Sequence, residues 1–316
     1  MIPRYQKVRQ MGMREVADIF DGPVEITEKL DGSQFAFGIV GGELQYRSKG
    51  RQIPRHSVAE SDLFYNTVTY VEAIAEAGLV PEEFWFYGEA FKSPKHSTLR
   101  YNRIPRNHFA LWAATGVAQQ DWFPYGGLQT FADAMEVELV QHIPLGGDAS
   151  PQAILNFLAS KPESQLGGQV EGVVIKNYAK EHYERDDHHY VMCAKYVSEA
   201  FKEVHEKSWN RENTGKGKWT VFQEQFRTEQ RWHKAIQHLA ENGNLTGSPK
   251  DIGNLLQEVQ RDIGMECKEE IKTFLWREFG KDLLRVSTRG LPEWYKEQIA
   301  LGQVIGLENT NEEDAA

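Results

Sequence analysis

The chain has 316 residues, of which 40% are apolar, 26% charged and 11% aromatic, enough apolar material for a packed core and too much for a disordered chain. The 36 Lys+Arg against 46 Asp+Glu give a net charge of −10, so bulk charge does not announce a nucleic-acid binder. No apolar run reaches the roughly 18 residues of a membrane span, and Cys193 and Cys267, expected reduced and buried, are too few for a disulfide framework or a four-cysteine zinc site. Met1–Tyr5 carries no apolar signal core, so an intracellular, cytoplasmic protein is expected.

In chain order, Val24–Thr27 alternates as a strand does. Phe35–Val40, the Gly41-Gly42 pair and Glu43–Tyr46 read as strand, tight turn and strand. Val68, Val71 and Ile74 give Asn66–Ala77 a helical period, and Leu128–Met135 reads likewise. Phe84–Tyr87, Phe109–Trp112, Glu171–Lys176 and Tyr190–Lys195 are further β-rich runs. The pattern predicts an α+β domain of mostly antiparallel sheets with flanking helices.

Past Ser208 the strand signals stop. Ser248-Pro249 is a helix start, with serine as cap and proline in the first turn. Ile252, Leu255, Leu256, Val259 and Ile263 mark one apolar helix face, and Ile271, Phe274, Leu275 and Phe279 another; Trp276, Trp294 and Tyr295 are expected in the helical core. The change of period predicts a first domain over 1–207 and a small all-α domain over 208–316, joined by a linker at Asn210–Lys218.

Charge is informative locally. Arg47–Arg55 holds Arg47, Lys49, Arg51 and Arg55 without an acid; Lys92–Arg106 holds Lys92, Lys95, Arg100, Arg103 and Arg106, with Tyr101 interleaved, also without one. Such runs suit a surface that tracks phosphates. His182, His188 and His189, near Glu184, Asp186 and Asp187, read as a solvated polar loop rather than a metal site. The glycine pairs read as turns, since none sits in Gly-x-x-x-x-Gly-Lys-Ser/Thr.

The chemistry concentrates at Glu28-Lys29-Leu30-Asp31-Gly32, where a lysine between strands is followed by Asp-Gly. Tyr87-Gly88-Glu89 ends an aromatic strand on a carboxylate. Glu171-Gly172-Val173-Val174-Ile175-Lys176 puts a carboxylate and a lysine at opposite ends of an apolar strand, and Ala194-Lys195 ends the next strand on a lysine. A lysine that attacks phosphorus must do so as a free amine, whereas an ordinary lysine, with a pKa of about 10.4, is protonated at neutral pH. A metal ion, neighbouring cations or desolvation must therefore lower that value.

This ordered set resembles the covalent nucleotidyltransferases, which include polynucleotide ligases and capping enzymes and have an ATP-grasp-like core. Within them it is most similar to the RNA ligase 2 family of bacteriophages, whose members also end in a small helical domain. The resemblance implies an ATP-dependent RNA ligase that seals 3′-hydroxyl and 5′-phosphate ends through lysyl-AMP and AppRNA, with Mg²⁺ or Mn²⁺, acting as a monomer in RNA repair, in host cytoplasm if phage-encoded. A minimal ATP-dependent DNA ligase, or a non-catalytic nucleic-acid-binding relative, is the alternative.

The resemblance also assigns residues. Lys29 is the nucleophile, Glu28 an acceptor for the adenine amino group, and Asp31 an orienting group for ribose or loop. Gln34 is a polar contact near the transfer site. Arg47 and Lys49 contact ribose or phosphates, and Glu89 holds the ribose hydroxyls. Trp112 stacks on adenine. Glu171 orients the lysine or binds metal, and Lys176 and Lys195 contact the α-phosphate. Tyr5 matches a tyrosine near the family's N-terminus. Three positions depart from the pattern: Val197 replaces a second lysine, Thr27 an arginine, and Asp31 a histidine. All of these precede the expected boundary, so residues 1–207 are expected to carry the nucleotide chemistry alone.

Overall fold

The computed structural model describes residues 1–55, 57–95, 99–119, 121–145, 149–183, 189–198 and 218–301. Its strands are β1 (Arg9–Gln10), β2 (Glu25–Lys29), β3 (Ser33–Val40), β4 (Glu43–Ser48), β5 (Gln52–Ile53), β6 (Phe84–Ala90), β7 (Phe109–Gly116), β8 (Glu138–Leu139), β9 (Gly172–Tyr183) and β10 (His189–Val197). Its helices are α1 (Tyr65–Glu76), α2 (Tyr125–Ala134), α3 (Pro151–Ala159), α4 (Lys218–Glu224), α5 (Glu229–Glu241), α6 (Ile252–Glu266), α7 (Lys268–Ser287) and α8 (Leu291–Ala300).

The strands form a four-stranded sheet in the order β1-β10-β9-β2 and a six-stranded sheet in the order β5-β4-β3-β6-β7-β8. Only the short pairs β1–β10 and β7–β8 are parallel. The hairpin read from sequence is β3–β4, and Gly41 and Gly42 turn it with φ of +59° and +76°, conformations that glycine adopts without a Cβ clash.

Strand alternation sorts the side chains into layers. Phe35, Phe37, Phe86, Phe109 and Leu111 leave one face of the larger sheet and pack with Val68 and Val71 of α1 and Leu128 of α2. Ile26, Val173, Ile175 and Ala194 leave one face of the smaller sheet and pack with Ile154 and Leu158 of α3. Two smaller clusters lie elsewhere: Leu30, Phe91, Tyr101 and Leu166 in one, and Ile2, Tyr5, Ala36, Trp85 and Tyr87 in the other. The second includes the N-terminal segment. Arg47 and Gln52 both donate to the Ile2 carbonyl, and Gln6 donates to the Val191 carbonyl.

The chain divides into two compact units, Met1–Val259 and Gln260–Ala316. The change from strand to helix therefore falls inside the first unit: α4 and α5 belong with the sheets. The expected boundary at Ser208 and most of the expected linker lie outside the described residues, as do Glu184, Asp186, Asp187 and His188. Ser248 caps its helix as expected, its hydroxyl accepting from the Lys250 N–H in a reciprocal capping box with Asp251.

The helical faces differ from the reading by apolar period. Ile252 and Leu256 are exposed, while Glu258 and Asp262 of α6 are buried. Glu258 is held by His238 of α5 at 2.7 Å, so a buried polar pair stands where the sequence pattern suggested an apolar contact. Leu275, Trp276, Phe279, Trp294 and Tyr295 are likewise exposed rather than in a helical core, whereas Phe274 is buried. Cys193 and Cys267 are reduced thiols and both are buried, as expected. Among the described residues no helix is long and apolar enough to cross a membrane.

Candidate active site

Lys29 ends β2 opposite Gly172, the first residue of β9. That register brings its ammonium to Glu171, and Nζ lies 2.5 Å from Oε2. Burial by itself pushes the Lys29 ammonium down, but Glu171, Asp31 and Glu89 outweigh it and hold the group above the ordinary lysine range. One ammonium faces more carboxylate than it can neutralise. Burial, opposed by Lys29 but reinforced by Glu241, Asp31 and Glu171, raises Glu89 to about 8. Burial, with Asp31 beside it, presses Glu171 upward as well.

Glu89 reaches this cluster from the larger sheet, where β6 pairs with β3 and places Gln34 directly across from it. Asp31 lies in the turn between β2 and β3. Its N–H donates to the Tyr101 hydroxyl at 2.8 Å, and its Oδ2 accepts from the Leu99 N–H at 2.9 Å. Gly32 fits under the ring of Phe91 because a Cβ there would lie 2.7 Å from that ring. Lys195, paired with Val174 on β9, is close enough for its charge to lower the Glu171 carboxyl.

Lys176, Trp112 and Tyr5 form a second group. Lys176 reaches from β9 to donate to the Trp112 carbonyl on β7, and its ammonium sits 5.8 Å from the centre of the Trp112 ring. Burial pushes the Lys176 ammonium below the ordinary lysine range. Tyr5 is buried edge-on to Trp112 at 4.5 Å and lies beside Tyr87 and Trp122. Its hydroxyl lies 3.7 Å from Cys193 Sγ. The Trp112 indole N–H is buried with no hydrogen-bond partner, which is costly unless a ligand supplies one.

Three assignments sit differently from the sequence reading. Alternation along β2 turns Glu28 to the face opposite Lys29, where Oε2 accepts from the Gln165 N–H at 3.0 Å and Oε1 is buried without a partner. Arg47 is buried, donating to the Ile2 and Ser48 carbonyls, while Lys49 stands in the turn between β4 and β5. The Lys92–Arg106 run is largely committed to the fold. Lys92 donates to the Glu60 and Ser61 carbonyls, Arg103 makes a two-pronged bond to Glu138, and Arg106 donates to the Val137 carbonyl.

Sequence reasoning assigned no role to Tyr101 or Gln237, both of which hold the turn after Lys29. An aromatic flanked by Arg100 and Arg103 was the signal available for the first. For the second, a glutamine on a polar helix, there was none.

The RNA ligase family model matches residues 22–197, more than half of the chain and a span that runs from before Lys29 to beyond Lys195; the chain belongs to the RNA ligase family. No curated protein matches the sequence. Among solved structures, the Naegleria gruberi RNA ligase with pyrophosphate overlaps at a TM-score of 0.44 and 15% identity, over 63% of this chain and 57% of that one. A variant of the same ligase with ATP and manganese gives 0.46 and 13% over the same shares. An Aquifex aeolicus protein assigned as an ATP-dependent DNA ligase gives 0.42 and 14%, over 82% of this chain and 64% of that one. The chain thus spans less than two thirds of the length of these neighbours, and the family membership rests on the sequence match.

Proposed function

We propose that the protein is an ATP-dependent RNA ligase that joins 3′-hydroxyl and 5′-phosphate ends through a covalent lysyl-AMP on Lys29. The observation that carries this reading is a single, largely buried lysine at a strand end, gripped by Glu171 and surrounded by Asp31 and Glu89, in a chain of the RNA ligase family.

The Lys29 amine, once it has lost a proton, donates its lone pair to the α-phosphorus of ATP. The P–N bond forms as the bond to the bridging oxygen breaks, and pyrophosphate leaves. The oxygen of an RNA 5′-phosphate then displaces Lys29 from the adenylyl phosphorus to give AppRNA. A 3′-hydroxyl attacks the RNA phosphorus, loses its proton, and AMP departs. All three steps are phosphoryl or nucleotidyl transfers, governed by positioning and charge neutralisation.

The resting site holds Lys29 as an ammonium, so the first requirement is to loosen the grip of Glu171. Among the described residues no trio of His, Cys, Asp or Glu forms a ready metal cage. Glu171, a carboxylate beside Lys29, would hold Mg²⁺ or Mn²⁺ together with substrate phosphates, since Mg²⁺ commonly takes one or two carboxylates and keeps its waters. When bound there, the cation supplies positive charge against both carboxylate and phosphate.

In this reading Glu89 and Asp31 take the ribose side and Gln34 lies beside them. Trp112, with its unpartnered N–H and Tyr5 behind it, takes the base. Lys176, Lys195, Lys49 and Arg47 serve the phosphates, Arg47 after exchanging its present carbonyl partners. Glu28 offers the partnerless Oε1 as an acceptor.

The test is incubation with [α-³²P]ATP and Mg²⁺, then with nicked duplexes of defined RNA or DNA strands. Acid-labile label on the wild type, its loss in Lys29→Ala, and sealing of RNA ends support the reading. Undiminished label on Lys29→Ala removes the nucleophile assignment, and sealing confined to DNA ends replaces RNA by DNA as the substrate.

A further inference from the structure

The turn that follows Lys29 is held on one side by Leu99 and Tyr101. On the other side it meets α5, a helix about two hundred residues further along the chain. Gln237 Nε2 donates to the Gly32 carbonyl at 2.7 Å and lies 3.2 Å from Ser33 Oγ. One turn on, Glu241 accepts from the same amide nitrogen at 3.0 Å. A carboxylate can only accept, so Glu241 takes one N–H of the Gln237 amide, fixes which way the amide faces and leaves the other N–H for the turn.

This edge of α5 is fitted in place. Glu241 is 5% exposed although it is a charged residue, and its charge reaches Glu89 in the lysine cluster. Just beyond the helix, Asn242 packs against Gly50, where a Cβ would come within 2.7 Å of its Oδ1, and Gly243 lies against the Arg51 guanidinium. The same helix end therefore touches both the lysine turn and the β4–β5 turn that carries Lys49.

We infer that Gln237, oriented by Glu241, is a positioning residue for the formation of lysyl-AMP: it fixes Gly32 and Ser33, and through them the place of the Lys29 amine. The inference rests on the ligase reading above. It differs from the expectation that residues 1–207 carry everything the nucleotide step requires. A displacement of about 1 Å in a reacting group can cost on the order of a hundredfold in rate, so a loosened turn acts on the rate at saturating ATP rather than on ATP affinity.

The experiment uses the full-length chain and the variant Gln237→Met, which keeps the side-chain volume and removes the donor. Single-turnover lysyl-AMP formation is measured against ATP concentration, and sealing of ready-made AppRNA, which bypasses attack by Lys29, is measured alongside. The expected result is lysyl-AMP formation slowed about tenfold or more, with half-saturating ATP and AppRNA sealing each within about threefold of wild type. Wild-type lysyl-AMP rates in Gln237→Met overturn the inference. So does an equal loss in AppRNA sealing, which marks a merely structural role. A wild-type protein that forms no lysyl-AMP overturns the ligase reading and this inference with it, a result distinct from a wild type that labels and a variant that labels equally well.

Discussion

Two lysines on facing strands of the smaller sheet, Lys29 and Lys176, are both largely buried yet pushed in opposite directions. Lys176 has an aromatic ring and a carbonyl for company, and burial lowers its ammonium. Lys29 is pushed down by the same burial, but Glu171, Asp31 and Glu89 reverse the outcome. Burial lowers a lysine and nearby carboxylates raise it; the sign follows whichever is larger, Glu25 being too weak a counterweight at Lys176. In the proposed mechanism the nucleophile is thus held above the ordinary lysine range, and the lysine assigned to phosphate below it. Entry of an anionic ligand raises both. On the proposed mechanism, the Glu171 carboxylate must be drawn away from Lys29 before the amine is released.

The largest effect is expected from removing that carboxylate. Glu171→Gln leaves Lys29 with an amide and deprives the site of its best cation ligand; lysyl-AMP formation should fall by roughly a hundredfold or more, the scale set by losing one preorganised electrostatic partner. A single-turnover rate near wild type would show the pair to be dispensable.

Exchanging each lysine for methionine sharpens the contrast. Lys176→Met removes a buried ammonium that has no carboxylate in contact, so the melting temperature should hold or rise, while lysyl-AMP formation drops about tenfold. Lys29→Met strands the carboxylates without their cation, and at pH 8.5 the melting temperature should fall by about 3–6 °C. Melting shifts of the same sign in both variants would erase the distinction.

Trp112 tests the proposed base site. Base–aromatic stacking is worth about 1–3 kcal/mol, so Trp112→Ala should raise half-saturating ATP by roughly tenfold or somewhat more, with Trp112→Phe milder. An alanine variant that folds and binds ATP as the wild type does makes Trp112 a core residue.

The smallest effect is on the pH dependence of stability. The Glu89 carboxyl is raised from an ordinary 4.5 to about 8. The folded state therefore keeps a proton that the unfolded chain gives up. The contribution of Glu89 is fully present below about pH 4.5 and is lost as pH rises toward 8. Glu89→Gln should flatten the decline in melting temperature across that window. An unchanged slope would place the titrating group elsewhere.

The longer strands and the β3–β4 hairpin were legible in the sequence, because alternation and a glycine turn survive folding directly; that Glu171 orients the lysine or binds metal came from the family resemblance, and the structure pairs it with Lys29. What was not legible has physical reasons. Apolar period predicted Ile252 and Leu256 as the inner face of α6, but Glu258 is turned inward to meet His238, a pairing that periodicity does not encode. The cations between Lys92 and Arg106 looked like a phosphate track, yet an acid distant in sequence, Glu138, and several carbonyls take up Lys92, Arg103 and Arg106. Glu28 and Lys29 are adjacent in sequence and so face opposite sides of one strand. Gln237 carried no signal at all, since its role depends on which helix lands on which turn.

The site is also one of long chain closures. Lys29 and Glu171 are 142 residues apart, Gln6 and Val191 are 185, and Gln237 and Gly32 are 205. Contacts of such separation form late and slowly, because loop entropy must be overcome before they contribute. At a synthesis rate of about 5–20 residues per second, the ribosome needs roughly 10–40 seconds after making Gly32 to make Gln237. Until Glu171 is made Lys29 has no carboxylate grip, and until Gln237 is made its turn has no helix behind it. On the proposed mechanism, a chain that has not closed these contacts has no assembled site with which to consume nucleotide.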